Sequence, residues 1–501
     1  MQIELKQGKV ELAEDEALLL TSFEEVKRFA GAFKTIDRIL SGDLSHLFEA
    51  GDFTGKAGQT AVLYPGEKLR FGKIILLGLG KRSQINIEGV RRAFGFAGRK
   101  VRELKVKSLS VQAFDSGFGG VRLSESSQAM VEGILLSLYR LDRYKTEHED
   151  EPVALDRITL WKEKRKGMGE VKRGTADGEI SAWATNLARD LANRPGNYLT
   201  PTRLAEEATK LARENKLKCT VLSEPELKKL KMNTFLAVAA GSKEPPKLIV
   251  LEYVPARKRA NTVALVGKGI TFDAGGLSLK STENMLEMKT DMTGGAVVLA
   301  TLVACAKMKL PLHVIGVIPA TENLPSGTAL KVGDIITSHS GKTIEVLNTD
   351  AEGRLILADG LSYARSFKPD AIVDVATLTG TIKLALGTFC AGLFGNHSGM
   401  KTQMLKAGEL SGERVWEMPL WDDYRPLLKS DLADMKNVGG RPAGSIVAAK
   451  FLETFVGDLP WIHLDIAGVD VNEKDDSYHS KGATGFGARL LLQFLKDSRK
   501  I

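Results

Sequence analysis

From Thr262 onward the chain repeats one pattern: a short apolar run, a loop, then a longer apolar segment of helical length. Thr262–Val266, Leu312–Ile318, Thr343–Leu347, Ala371–Ala376 and Trp461–Ile466 read as strands, and Gly294–Lys307 and Gly353–Ser366 as helices. Strands this apolar are buried on both faces, and helical connections between them favour parallel pairing. The expectation is an α/β fold whose central, largely parallel sheet is flanked by helices. In such sheets chemistry collects in the loops at the carboxyl ends of the strands.

The 501 residues suggest two or three domains, and 43% hydrophobic against 26% charged residues is an ordinary balance that can fill a sizeable core. Short apolar runs such as Lys73–Leu79 alternate with helical patterns such as Glu125–Tyr139 in the first part, which is again α/β texture. Residues Trp161 to Ile180 are dense in Lys, Glu and Gly, with little apolar periodicity. The expected organisation is an N-terminal α/β domain over 1–165, a linker over 166–180 and a C-terminal catalytic domain over 181–501. A helix is expected over Ile180–Asn193, ended by Pro195-Gly196, and a second after the Thr200-Pro201 start signal.

The apolar run Gly294–Met308 is too short to cross a bilayer, and the first ten residues carry Glu4, Lys6 and Lys9 with no apolar stretch of a signal peptide. Three scattered cysteines, Cys219, Cys305 and Cys390, make neither a disulfide framework nor a zinc knuckle. A reducing cytoplasm and no membrane partner are expected. The net charge of +8 is concentrated: residues 51–110 hold 13 Lys and Arg against 4 Asp and Glu. A solvated face is the plainer explanation, and a DNA contact through this basic N-terminal region the sharper one. No aromatic interleaving supports the latter.

Three loops carry the acids of interest: Lys268 to Gly276 with Asp273, followed by Lys280; Lys289 to Gly295 with Asp291; and Asn348 to Arg354 with Asp350 and Glu352. In each, glycines follow a carboxylate at once, which permits tight turns and close backbone approach. Asp350 and Glu352 are two apart and share a side if the Thr343 strand runs on to them. Four carboxylates drawn together repel unless cations lie among them, so divalent metal is the natural solution. Any one of these acids alone reads better as a helix cap. The set of three reads as a site. None of His313, His339, His397, His463 or His479 falls in these loops, which argues against a histidine zinc site and gives His463 a local hydrogen bond near the core.

The segment Asn348-Thr-Asp-Ala-Glu-Gly-Arg354 resembles the signature of the leucyl aminopeptidase (cytosol aminopeptidase) family. The preceding Val266-to-Gly276 and Lys289-to-Gly295 segments are similar to the family's in residues and spacing. The resemblance runs from about Ile180 to Leu492 and includes Ala376–Gly380, His463–Gly468 and Gly482–Gly487. It implies two divalent metal ions (Mn or Zn, with Mg or Co accepted) held by Lys268, Asp273, Asp291, Asp350 and Glu352. Asp273 and Glu352 would bridge, Asp350 would serve the first ion, and Lys268 with Asp291 the second. A lysine ligand must be neutral, far from its ordinary state. The implied reaction is release of N-terminal amino acids, preferably Leu and other apolar ones, from peptides by a bridging hydroxide. Lys280 would stabilise the oxyanion, and Arg354 would hold a bicarbonate that moves the proton. Met288, Thr377 and Gly380 would line the pocket for the N-terminal side chain, with Asn348 and Leu378 near the next residue. For Met288, ordinary packing is an equal alternative. A homohexamer is implied too. The competing readings are a two-metal phosphoesterase and an additional architectural role on DNA.

Overall fold

In a computed structural model, which describes residues 1–26, 29–114, 117, 120–147, 154–256 and 261–498, the chain divides into two units. The first is Met1–Trp183 with Glu473–Lys481, and the second is Ala184–Asn472 with Gly482–Ile501.

The first unit is built on a six-stranded sheet in the order Gln2–Gln7, Arg157–Lys162, Ser108–Gln112, Ala17–Ser22, Lys73–Gly78 and Thr60–Leu63. Every pairing is parallel except the last. Helices Ile87–Glu103 and Leu123–Ser137 pack together beside it and share a core of Val90, Phe94, Val101, Met130 and Ile134 with the strands. The start of the Ile87 helix is set by Asn86, whose side chain accepts from the Gly89 amide at 2.8 Å. Much of the basic stretch 51–110 is engaged with acids: Arg70 with Glu14, Lys73 with Glu16, Arg91 with Glu88 and Glu132, Arg92 with Asp476, Arg99 with Asp475, and Lys100 with Glu103. These pairs reduce the field that the segment presents to a polyanion.

The segment expected as a linker is helical. Met168–Asn193 is one helix of 26 residues, and the division between the units falls inside it. Its buried positions in the first unit are Val171, Gly174, Thr175, Gly178, Ser181 and Ala182. These recur every three to four residues but are small rather than apolar, so a search for hydrophobic periodicity passes over them. The small side chains let the helix approach its neighbour closely. A Cβ on Gly174 would lie 2.0 Å from the Ser124 carbonyl oxygen.

The second unit holds a nine-stranded sheet in the order Val415–Glu417, Ala391–Gly395, Trp461–Asp465, Ala371–Ala376, Thr262–Gly267, His313–Asn323, Lys247–Tyr253 and Lys218–Leu222, with Gly269–Asp273 paired to the His313 strand. The four central strands are mutually parallel. Antiparallel pairings enter on each flank, at Ala391–Gly395 and at Lys247–Tyr253, so the sheet is mixed around a parallel centre. Thr200 caps the helix Pro201–Glu214 as its sequence signal implied. The stretch Thr282–Met308 is long and apolar enough to cross a membrane by composition, yet 83% of its apolar window is buried. Its main part, helix Thr293–Met308, is a core helix against the sheet, buried at every position from Thr293 to Cys305. The central strands and helix Gly353–Ala364 point their ends at one set of loops, which hold the acids.

Candidate metal centre

Lys268 and Asp273 bracket the strand Gly269–Asp273, Asp291 closes the turn Met288–Thr290, and Glu352 stands at the start of helix Gly353–Ala364. The strand beginning at Thr343 ends at Glu345, so Asp350 and Glu352 do not share a strand face. A turn brings them together instead: the Asn348 side chain accepts from the Asp350 amide at 2.9 Å, and Glu352 already has helical backbone angles. The expected proximity holds although the expected geometry does not.

Oxygens of Asp273, Asp350 and Glu352 lie within 4.8 Å of one another. Lys268 Nζ sits 2.7 Å from Asp291 Oδ1, 2.9 Å from Glu352 Oε1 and donates to the Thr377 carbonyl at 2.9 Å. Lys280 Nζ is 2.8 Å from Asp273 Oδ2 and also pairs with Asp350. All five expected ligands and Lys280 therefore form one constellation. Asp291 Oδ2 and Glu352 Oε2 are buried with no hydrogen-bond partner among the described residues. Unpaired buried acceptors are costly, and such oxygens beside further carboxylates are suited to a dication.

The electrostatics reflect this crowding. Burial, and then the Glu352 charge, pushes the Asp273 carboxyl up to about 6. Burial likewise raises Asp291 well above the usual range, and Asp350 upward as well. Burial works to raise Glu352 too, but Lys268 and Lys280 outweigh it and hold it below its ordinary value. Burial works to lower Lys268, but Asp291, Glu352 and Asp273 dominate and keep it a firm cation. Lys280 is raised in the same way. Set against these acids alone both lysines are ammonium ions, and a dication among the same oxygens would lower Lys268 toward the neutral amine that a ligand must be.

Two glycines of the acid loops are required by close approach. A Cβ on Gly353 would lie 2.5 Å from Lys268 Cε and 2.7 Å from its Nζ. One on Gly294 would lie 2.1 Å from the Val375 carbonyl oxygen. The loop after Asp273 turns through Gly275 and Gly276 at φ of 88° and 64°, a left-handed pair that other residues adopt poorly.

Arg354 is buried, with Nη1 donating to the Asn437 carbonyl at 2.7 Å and Nε unpaired. Burial pulls its guanidinium down to about 10. Thr377 is buried and donates its hydroxyl to Asp291 Oδ1 at 2.8 Å. Met288 is half-buried, Leu378 packs against the core, and Gly380 is exposed. Asn348 spends its side-chain oxygen on the turn and its carbonyl on Asn437 Nδ2, at 2.7 Å.

Several polar residues that sequence reasoning passed over hold this site together. Asn323 donates to Asp273 Oδ1 at 2.8 Å and to the Thr349 carbonyl at 3.1 Å. Asn437, fully buried, accepts from Leu347 N at 2.9 Å as well as meeting Asn348 and Arg354. Their loops lie far from the acid motifs in sequence, and only the position of Asn323 at a strand's carboxyl end was a signal. His463 satisfies Asp374 locally at 2.6 Å, deep in the sheet.

Comparison with known proteins places this chain among relatives. The cytosol aminopeptidase family's catalytic domain matches residues 186–492, and its N-terminal domain matches residues 19–148. A "Probable cytosol aminopeptidase" of Geotalea uraniireducens (strain Rf4) is 45% identical over 467 residues, 93% of each chain. Another, of Roseiflexus castenholzii, is 47% identical over 461 residues, covering 91% of this chain and 94% of that one. Among solved structures, a mutant of tomato leucine aminopeptidase is similar with a TM-score of 0.88 at 33% identity, over 99% of this chain and 96% of that one. The bottromycin maturation enzyme BotP in complex with Mn has a TM-score of 0.85 at 34% identity, over 97% of this chain and all of that one.

Proposed function

We propose, for a chain that belongs to the cytosol aminopeptidase family and is an aminopeptidase, that Lys268, Asp273, Asp291, Asp350 and Glu352 hold two divalent ions and that Lys280 and Arg354 act beside them. The observation that carries this reading is the meeting of Asp273, Asp350 and Glu352 oxygens within 4.8 Å, with unpaired buried oxygens on Asp291 and Glu352. Manganese or zinc fits this donor set of oxygens and one amine, and a similar protein is known with Mn. When bound, the ions supply Lewis acidity and a water activated for attack near neutral pH.

The chain's own groups do the rest. Lys280 remains a cation, held so by Asp273 and Asp350, and stabilises the negative charge that develops on the scissile carbonyl oxygen. Arg354, with a free Nε, presents a planar donor fork suited to bicarbonate, an anion that supplies proton transfer when bound. Met288, Thr377 and Gly380 receive the N-terminal side chain of the peptide and favour Leu and other apolar residues. Asn348 and Leu378 flank the following residue. A cytoplasmic location and a homohexamer accompany this reading from the family resemblance.

The test is turnover of a panel of aminoacyl p-nitroanilides beside p-nitrophenyl phosphate, after chelation and after adding back Mn, Zn, Mg or Co singly. Leucine and methionine reporters should lead, chelation should silence them, and one or more metals should restore them. Turnover undiminished in fully demetallated protein, or phosphate-ester cleavage exceeding leucine release, would overturn the assignment.

A further inference from the structure

We propose that Asp465 is a positioning residue that, with Asp470, sets the shape of the pocket for the substrate's N-terminal side chain. The inference rests on the assignment of Met288, Thr377 and Gly380 to that pocket.

Where the strand Ala371–Ala376 ends, the chain leaves the sheet, and the amides of the next residues lose their ladder partners. Asp465 closes the neighbouring strand and is fully buried. Its Oδ1 accepts from Leu378 N at 3.1 Å, Thr379 N at 3.4 Å and Ala467 N at 3.3 Å, and its Oδ2 accepts from Thr379 Oγ1 at 2.6 Å. An ionised carboxylate only accepts, and here donors converge on both of its oxygens. Thr379 in turn takes Ile382 N at 3.3 Å and so caps the helix Gly380–Leu386. This carboxylate, together with Ser445 Oγ at 2.8 Å from Thr379 Oγ1, fixes the path of residues 377–380 between strand and helix.

That loop has its other attachment in the metal centre, through the Thr377 carbonyl on Lys268 and the Thr377 hydroxyl on Asp291. On the same assignment the other wall carries Met288, which begins the turn Met288–Thr290. Thr290 Oγ1 lies 3.0 Å from Asp470 Oδ2, and Asp470 is held by Thr484 N on its carbonyl at 2.8 Å and by Gly468 N on its side chain at 3.2 Å. Both walls thus trace back to one six-residue segment, residues 465–470. A rigid bracket of this kind holds a pocket to one shape, and discrimination between apolar side chains depends on that shape.

The experiment compares wild type with Asp465→Ala, Asp465→Asn, Thr379→Val and Thr379→Ser. It measures kcat and KM for leucine and alanine p-nitroanilides, bound metal, and the melting midpoint. Thr379→Val removes one hydroxyl, so it carries the test if the Asp465 variants fail to fold. The leucine-to-alanine ratio of kcat/KM should fall about tenfold in Thr379→Val and in Asp465→Ala, the scale of one misplaced methylene. The fall should lie mainly in KM, with bound metal within twofold of wild type. Thr379→Ser, which keeps the hydroxyl, should retain the wild-type ratio. A Thr379→Val enzyme whose ratio is unchanged, or which loses both substrates equally together with its metal, would overturn the proposal while leaving the aminopeptidase reading intact. A wild type that does not distinguish leucine from alanine would instead refute the pocket assignment and this inference with it.

Discussion

Replacing Glu352 with alanine separates a metal ligand from an ordinary buried charge. Breaking a buried ion pair by removing one partner typically costs about 3–5 kcal/mol. The cost here should fall below that range without metal. Lys268 keeps Asp291 at 2.7 Å and the Thr377 carbonyl at 2.9 Å, and Asp273 loses a neighbour that raises its pKa. No helix cap is lost either, because the Glu352 side chain makes no cap hydrogen bond. With metal the balance reverses. An ion present at a hundred times its Kd stabilises the native state by about 2.7 kcal/mol. If losing the ligand weakens Kd a hundredfold, the same ion concentration contributes about 0.4 kcal/mol. At about 2 °C per kcal/mol for a large domain, the metal-induced rise in melting midpoint should shrink from about 5 °C to about 1 °C. Turnover of leucine p-nitroanilide should fall by more than the ~10–100-fold that follows loss of a group merely orienting a ligand. The assay is a thermal scan of both proteins with EDTA and with added Mn, run beside the kinetics. A variant that keeps wild-type turnover, or the full metal-induced shift, would refute the reasoning.

Lys280→Ala should lower turnover by ~10²–10³-fold, the worth of one oxyanion donor, with bound metal near the wild-type amount; loss of metal in parallel with activity would make Lys280 structural instead. Gly353→Ala places a methyl 2.5 Å from Lys268 Cε, so activity and metal content should fall together while overpacking costs only about 1–3 kcal/mol in a melt. His463 is buried, which works to lower its pKa, but Asp374 at 2.6 Å dominates and raises it above the ordinary 6.5. A raised folded value contributes stability that is full below about 6.5 and is lost as pH rises through the folded pKa. The stability gap between wild type and His463→Gln should therefore narrow on going from pH 6 to pH 9, and a gap that widens would contradict the pairing. A gel shift with duplex DNA at low salt should show weak binding at most, given the ion pairs along residues 51–110; tight binding with a steep salt dependence would restore the architectural role.

Much of this protein is legible in its residues alone. The strand Ala371–Ala376 can be read to the residue because its six positions are all apolar or small except Asp374, and all are buried. The acid loops are legible because three segments each pair carboxylates with glycines, although any one of these acids alone would read as a helix cap. Small residues hide the first half of the helix Met168–Asn193, whose buried positions before Ile180 are Val171, Gly174, Thr175 and Gly178, so its composition looks like a connection, while the half from Ile180 is legible as a helix. The spacing of Asp350 and Glu352 anticipates their proximity by the wrong device, a strand rather than a turn, because local spacing cannot tell which of two backbone paths brings two side chains together.

The amino-acid order by itself determined the alternation of strand and helix, and the supply of five candidate ligand residues in three segments, since both are properties of neighbours along the chain. Only the tertiary structure decided which acids meet, that Lys268 lies between Asp291 and Glu352 over a glycine that leaves it room, and that Asn323, Asn437 and Asp465 hold the loops in place. Those contacts join residues from 23 to 89 positions apart, and interactions at such separations are chosen by packing of the whole sheet, not by any local preference.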